Sequence, residues 1–288
     1  VKAELKRLLS NMEPQERIQS LPVLARLAAP DIRRFAEARG WSEPPQEVRR
    51  IAEHVAELVA DGDTIQLGMG TPSQMLVGAG AFDGRRDLGW HSEMTAPGVV
   101  DLIRRGTITG DRKSIHKGKA VFAALTGARP SELAFAHENP AIEQYDAEYV
   151  ANALTVARHD NMLTLNNALS IDLTGQINAE SVMGPRQVSG TGGQLDFHMG
   201  AVLSKGGRAV TLLRSTALGG AVSRIVPRLE EGLIVTVPRT FADTVVTEYG
   251  IAQLLGKSVR ERARELIGVA HPDHRSDLKR AAARLYYP

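Results

Sequence analysis

Cysteine is absent from all 288 residues, which excludes disulfides and thiolate chemistry and leaves any zinc site to histidines and carboxylates. An excess of one charge is also lacking: 35 basic and 33 acidic residues give a net charge of +2. That balance argues against wholesale binding to nucleic acid or membrane and leaves local anion pockets open. No apolar run approaches the roughly 18 residues of a membrane span, and no charged-then-apolar leader opens the chain. A cytoplasmic location is the expectation. The first residue is Val1 rather than methionine, which reads as a processed start or a piece of something longer. What is abundant is apolar: 43% hydrophobic residues suffice for a sizeable core in one large α/β domain or two small ones.

Residues 1–40 are polar and helix-patterned, with Pro14, Pro22 and Pro30 punctuating ELKRLL, ERIQSLPVLARLAA and DIRRFAEARG. They predict a helical preface over residues 1–41, followed by an α/β domain over 42–288 that begins with the linker SEPPQ. Ile51, Val55 and Leu58 then share one face of a helix ending at DGD. Beyond it, TIQLGMG, KAVFAAL, NMLTLNNALSIDL, GRAVTLL and GLIVTV read as strands, with helix-like segments such as PSQMLVGAG between several of them. This alternation predicts a mostly parallel sheet with helices on both faces. The tail, SVRERARELIGVA and DLKRAAARLY, is amphipathic and helical.

In such a sheet, functional groups gather at the carboxyl ends of the strands. Three places qualify. LGMGTPSQ is a strand, a G-x-G turn at Gly68 and Gly70, and a following helix; it lacks the third glycine of a dinucleotide fingerprint and the Lys of a P-loop. It is either a tight turn or a cradle for an anion or oxyanion. SGTGGQ, with Gly190, Gly192, Gly193 and Gln194, either turns a hairpin or points several amides at one ligand oxygen. The third place is LGWHSEMTAPGVVDLI, where Glu93 precedes a helix beginning near Pro97 that Ser92 or Thr95 is able to cap. There Glu93 is either a favourable terminal charge or a residue presented for chemistry. His91 and Glu93 are a possible metal pair, but no third and fourth ligand follow at a recognisable spacing. HPDH (271–274) reads as the cap of the terminal helix.

Longer stretches carry a resemblance. LGWHSEMTAPGVVDLIRRGTITG, SGTGGQLDF, SKGG, GGAVSRIVP and VVTEYGIAQLLGKSVRERARELIGVAHPDHR, in this order, closely resemble the acetyl-CoA hydrolase/transferase family of class I CoA-transferases. The likeness runs from about Ser42 to the end and is nearest to the C-terminal half of the 4-hydroxybutyrate and butyryl CoA-transferases. It implies a CoA-transferase, sugar-phosphate-isomerase-like fold, with coenzyme A or acyl-CoA as substrate and no metal. The family's H-[ST]-E-M motif places a nucleophilic glutamate on Glu93. Asn166 in LNNALSID, Gly190 and Gly192 are the catalytic donors that the resemblance implies. Gly68, Gly70, Gly192, Gly193 and Gln194 would meet the coenzyme, and Lys205 and Arg224 are cations for its phosphates or ordinary solvated and structural cations.

The implied activity is CoA transfer to a carboxylic acid through an acyl-glutamyl anhydride and a glutamyl-CoA thioester on Glu93. Alternatives are hydrolysis or transacylation of acyl-CoA or a carrier-protein thioester, and a non-catalytic CoA-binding or partner domain. The expected partners are small carboxylic acids, further copies of the chain in a homo-oligomer, and a separate subunit supplying the first half of the enzyme or an acyl carrier protein. Two departures from the family pattern stand out: GMGTPSQ is one residue shorter than the usual G-I-G-x-I-P, and DFHMGA has His198 and Met199 where an apolar residue and Arg are common. The second is expected to remove a contact to an acidic acyl group.

Overall fold

The computed structural model describes residues 43–125 and 130–286; the helical preface expected over residues 1–41 lies outside them. The first helix, α1 (Gln46–Leu58), follows Pro44 and Pro45 and buries Val48, Ile51, Ala52 and Val55, the i, i+3, i+4, i+7 stripe of a single face. Burying each of Val48, Ile51 and Val55 contributes about 1.5–3 kcal/mol, so a charge at Val55 would unseat the helix.

Eight strands form the main sheet: β1 (Thr64–Leu67), β2 (Gly89–Met94), β3 (Ala120–Ala124), β4 (Ile142–Gln144), β5 (Met162–Asn167), β6 (Arg208–Leu212), β7 (Thr244–Thr247) and β8 (Gly250–Gln253). Their spatial order is β8-β7-β6-β5-β1-β2-β3-β4. All neighbours pair in parallel except β7 and β8, which form an antiparallel hairpin at one edge. The central β1 is buried at every position, as expected of a parallel strand covered on both faces.

Side-chain alternation sends Ile65, Leu67, Leu163, Leu165, Val210 and Leu212 to one core, against α1 and the short helix α2 (Val99–Arg104). On the opposite face Val121, Met162 and Ala209 meet Val150, Val156, Phe197 and Ala201. These come from α4 (Ala147–Val150), α5 (Ala153–Ala157) and α6 (Gln194–Leu203), which follow α3 (Pro130–Ala136) in the chain. A further core joins Ile171, Leu213 and Val245 to Leu266 and Leu278 of α7 (Val259–Gly268) and α8 (Pro272–Tyr286). The start of α7 is fixed by a capping box between Ser258 and Glu261. Helices therefore cover both faces of the sheet.

Three local expectations are corrected. PSQMLVGAG is a 3-10 turn, Ser73–Met75, leading into further turns rather than an α-helix. GLIVTV is not a strand; within it only Val237 forms an isolated bridge, to Ile177. The edge hairpin comes instead from TVVTEYGIAQ, which pairs Thr244–Thr247 with Gly250–Gln253. The apolar run is instead held by single contacts, Ile234 N donating to Ser181 Oγ at 2.9 Å and Thr236 N to the Ile177 carbonyl at 2.8 Å.

Candidate active site

The strand β2 is buried from Gly89 to Ser92 and becomes half-buried at Glu93 and Met94, so the glutamate emerges where the strand leaves the core. Ser92, on the other face, donates its hydroxyl to the Leu67 carbonyl at 3.2 Å and clasps β1 to β2. The N-cap of α2 is Gly98, at φ 86°, with no side-chain cap. Ser92 and Thr95 are therefore not the helix caps that sequence suggested. Asp101 alone is acidic in the first turn of α2, and Glu93 has another neighbour. The backbone amide of Gly193, at the N-cap of α6, donates to Glu93 Oε2 at 3.1 Å. A Cβ on residue 193 would lie 2.8 Å from that oxygen, so any side chain there displaces the carboxylate.

Glu93 stands between two cavities. One, of about 590 Å³, is lined by Gln66, Gly68, Gly70, Asn166, Asn167 and the loop 188–194, among others. The other, of about 600 Å³, is lined by Met94, Ala123, Ala124, Gln144, Tyr145, Asp146 and Ala147.

In the first cavity the floor is built by amide pairing. Asn166 donates Nδ2 to Gln66 Oε1 at 2.9 Å and accepts from Gln66 Nε2 at 3.1 Å. An amide nitrogen carries two hydrogens, so Asn166 retains one donor beyond this pair. Gly68 packs against it so tightly that a Cβ would collide with Asn166 Oδ1 and lie 3.2 Å from the Asn166 Cα. Asn167 shapes the glycine turn: its Nδ2 donates to Ser73 Oγ at 2.7 Å and to the Met69 carbonyl, while its Oδ1 accepts from Ser73 N at 3.0 Å. Gly70, at φ 89°, supplies the left-handed step of that turn. Gln194 uses its side chain internally, donating to the Asn167 carbonyl at 3.0 Å.

Gly190 and Gly192 lie in the exposed wall of the same cavity, and Gly192 has a φ of 52°. Arg224 lines it too, together with Arg214, which sequence reading passed over. Arg214 follows the GRAVTLL run directly, and the general rule about strand carboxyl ends was enough to single it out. Gln66 and Asn167 were likewise missed; polar residues inside an apolar strand were their signal. Lys205 is elsewhere. Its side chain is 88% exposed beside Asp160, and its carbonyl binds Asn161 N just before β5, the end of the sheet opposite the cavity. His198, expected to alter the acyl pocket, is buried, donating Nδ1 to the Gln194 carbonyl and accepting from Thr211 at Nε2; it does not line the cavity.

Below the site the interior is polar. His91 donates Nε2 to the Val150 carbonyl at 2.8 Å and contacts His159, whose ring centroid is 4.4 Å away. Burial, reinforced by Lys113, holds His91 well below the ordinary histidine range; burial and then His91 do the same to His159. Lys113 donates Nζ to the carbonyls of Trp90 and Lys119, and burial pulls it down to about 7. Among the described residues no group of three or more His, Cys, Asp or Glu is placed to hold a metal ion. No helix among them is long and apolar enough to cross a membrane.

Comparison with known proteins agrees with this architecture. Residues 131–282 match the family described as the acetyl-CoA hydrolase/transferase C-terminal domain. The chain is 45% identical over 231 residues to the 4-hydroxybutyrate coenzyme A transferase of Clostridium kluyveri, covering 80% of this chain and 53% of that protein. It is 36% identical over 287 residues to the butyryl-CoA:acetate CoA-transferase of Anaerostipes caccae, covering 99% of this chain and 63% of the relative. The crystal structure of RipA from Yersinia pestis superposes with a TM-score of 0.79 at 40% identity, over 86% of this chain and 55% of RipA. The chain thus spans between half and two thirds of the length of these proteins.

Proposed function

Because the chain belongs to the acetyl-CoA hydrolase/transferase family, we propose that it moves CoA between carboxylic acids, with Glu93 as the nucleophile. The observation that supports this most is the placement of one carboxylate, tethered to the Gly193 amide, on the wall of a cavity floored by amide donors.

The chemistry balances without water or ATP. One Glu93 oxygen attacks the acyl-CoA carbonyl; the C–S bond breaks, CoA leaves as thiolate and an acyl-glutamyl anhydride remains. The thiolate attacks the glutamyl carbonyl, the anhydride C–O bond breaks, and the first acid leaves as a carboxylate. Glutamyl-CoA is left. The second acid's carboxylate attacks that carbonyl and expels the thiolate, which then attacks the new acyl carbonyl and restores the Glu93 carboxylate. Every step passes through a tetrahedral oxyanion, and the second N–H of Asn166 with the amides of Gly190 and Gly192 are the donors we assign to it. Losing one such donor raises the barrier by about 3 kcal/mol.

On this reading Gly68 and Gly70 allow close approach of the coenzyme, small carboxylic acids and acyl-CoA are the substrates, and the setting is a cytoplasmic homo-oligomer. The test is intact-protein mass spectrometry after mixing the chain with several acyl-CoAs, comparing wild type with Glu93→Gln. A CoA-mass adduct on Glu93 that disappears when acetate is added is expected. A folded wild type that forms no adduct, or an adduct that persists in Glu93→Gln, overturns the reading.

A further inference from the structure

The amide that reaches Glu93 is wedged between three groups. A Cβ placed on Gly193 would meet Glu93 Oε2 at 2.8 Å, Ala151 Cβ at 3.0 Å and Phe197 Cε2 at 3.2 Å. Phe197 belongs to the same helix as Gly193 and donates its backbone amide to the Gly193 carbonyl at 3.0 Å. Ala151 comes from elsewhere in the chain: it follows Val150, the last residue of the single-turn helix α4. A helix this short leaves the carbonyls of its last turn without partners inside the helix. Where Ala151 sits therefore depends on what holds those carbonyls from outside.

The Val150 carbonyl is held by His91. This residue lies two positions before Glu93 in β2, on the same face of the sheet, and is fully enclosed. It donates Nε2 to the Val150 carbonyl at 2.8 Å. A carbonyl only accepts, so the neutral ring carries its hydrogen on Nε2 and leaves Nδ1 as an acceptor; among the described residues that Nδ1 has no partner. The same ring meets Phe197 edge-on, with centroids 6.4 Å apart. His91 thus bears on two of the three groups around Gly193, on Ala151 through the Val150 carbonyl and on Phe197 by ring contact. Burying an imidazole with one nitrogen unpartnered works against folding, and a leucine would fill a similar volume without that penalty. What a leucine lacks is an N–H aimed at Val150.

We propose that His91 is a positioning residue for CoA transfer: its bond to Val150 sets Ala151 against Gly193, and through the Gly193 amide it aims the Glu93 carboxylate. This rests on Glu93 being the nucleophile and adds the residue that orients it. The contacts form a closed loop that leaves β2 at His91 and returns to it at Glu93. The other end of α4 is fixed by its cap, Asp146, whose Oδ1 accepts from Tyr149 N at 2.8 Å, and Asp146 and Ala147 line the second cavity beside Glu93. A slack α4 therefore loosens the walls on both sides of the carboxylate. A misplacement of about 1 Å at a reacting group is enough to slow a step about a hundredfold.

The experiment compares the full chain with its His91→Leu, His91→Gln, Ala151→Gly and His159→Leu variants, with thermal melts to establish folding. Hydrogen exchange of the Gly193 amide, followed by NMR, reads the contact without any reaction. The rate at which acetyl-CoA loads CoA onto Glu93, with the KM for acetyl-CoA, reads the chemistry. In His91→Leu, exchange at Gly193 is expected to quicken at least tenfold while the amides of β5 keep their protection, and loading to slow at least tenfold with KM within twofold. His91→Gln keeps an N–H and is expected to recover part of both. Ala151→Gly leaves His91 intact, is expected to move both readouts in the same direction, and decides the matter if His91→Leu does not fold. His159→Leu removes only a ring neighbour of His91 and is expected to match wild type. Wild-type exchange and loading in folded His91→Leu or Ala151→Gly, no recovery in His91→Gln, a rise confined to KM, or an equal loss in His159→Leu overturns the proposal. If wild type forms no CoA adduct, quickened Gly193 exchange in His91→Leu upholds the role of His91 while the nucleophile assignment fails, and unchanged exchange overturns both.

Discussion

Glu93 and Gly193, a hundred residues apart in the chain, meet through a 3.1 Å hydrogen bond from the glycine amide to the carboxylate. The bond leaves space for hydrogen only: a methyl at residue 193 would stand 2.8 Å from the Glu93 oxygen, 3.0 Å from Ala151 Cβ and 3.2 Å from Phe197 Cε2. Gly193→Ala is expected to displace the carboxylate, lowering kcat for CoA transfer by about a hundredfold, because small misplacements of reacting groups have effects of that size. Overpacking is expected to destabilise the fold by about 1–3 kcal/mol. Steady-state kinetics and denaturant melts on the same preparation check both.

Asn166 and Gln66 satisfy each other inside the sheet. Asn166→Ala leaves the Gln66 amide buried without its partner, at a cost of about 1–3 kcal/mol. If Asn166 also supplies an oxyanion donor, kcat falls by about a hundred- to a thousandfold. Gln66→Leu separates the two roles: it breaks the same pair while leaving the Asn166 amide in place, and is expected to lose stability with a much smaller loss of kcat.

Lys205 lies at the opposite end of the sheet from the cavity and is almost fully exposed. Lys205→Ala is expected to change stability by no more than about 0.5 kcal/mol and to leave the KM for CoA unchanged. A large rise in that KM would mean that the coenzyme passes around the sheet to its far edge.

The buried histidines set an acid limit. His91, His159 and His198 titrate well below 6.5 in the folded chain because burial disfavours their charged forms, His198 at about 4. The unfolded chain therefore takes up protons first. The stability due to these groups is fully present above pH 6.5 and declines as pH falls from 6.5 to 4 and below, at about 1.4 kcal/mol per pH unit for each histidine. Neither ring nitrogen of His159 has a partner, so His159→Leu is expected to be tolerated. Its melting temperature relative to wild type should rise progressively as pH is lowered through that window. A constant difference from pH 7 to pH 4 would contradict this origin. Lys113 acts by the same logic higher up the scale: with its folded value near 7, the stability it contributes is present above 10.5 and lost as pH falls to about 7.

The sheet, its helical cover and the terminal helices were legible because apolar periodicity reports which faces are buried, as in the all-buried β1 and the stripe on α1. Glu93 and the Gly190–Gly193 loop stood out through longer motifs, although nothing local in the sequence indicates that they touch. Their contact depends on the N-cap of α6, which packs over β5 and β6, reaching the end of β2, a tertiary arrangement without a local signature. The failures have local causes. GLIVTV is apolar because it packs against Ile177 through one bridge, and burial alone does not distinguish that from strand pairing. Arg214 was passed over because its neighbour Arg224, ten positions on in the sequence, is brought beside it only by the fold. His198 suggested altered acyl recognition only while its burial was unknown.

The row of strand ends also has an evolutionary consequence. Glu93 and Asn166 lie in β2 and β5, and Gly68 and Arg214 follow β1 and β6, so the four backbones stand at the ends of four adjacent strands, about 4.8 Å from one strand to the next. A substitution at the tip of β6 alters the wall three steps out and leaves β2, β1 and β5 unmoved. Descendants of such a scaffold are free to reshape one stretch of the cavity wall by single replacements while Glu93 keeps its place.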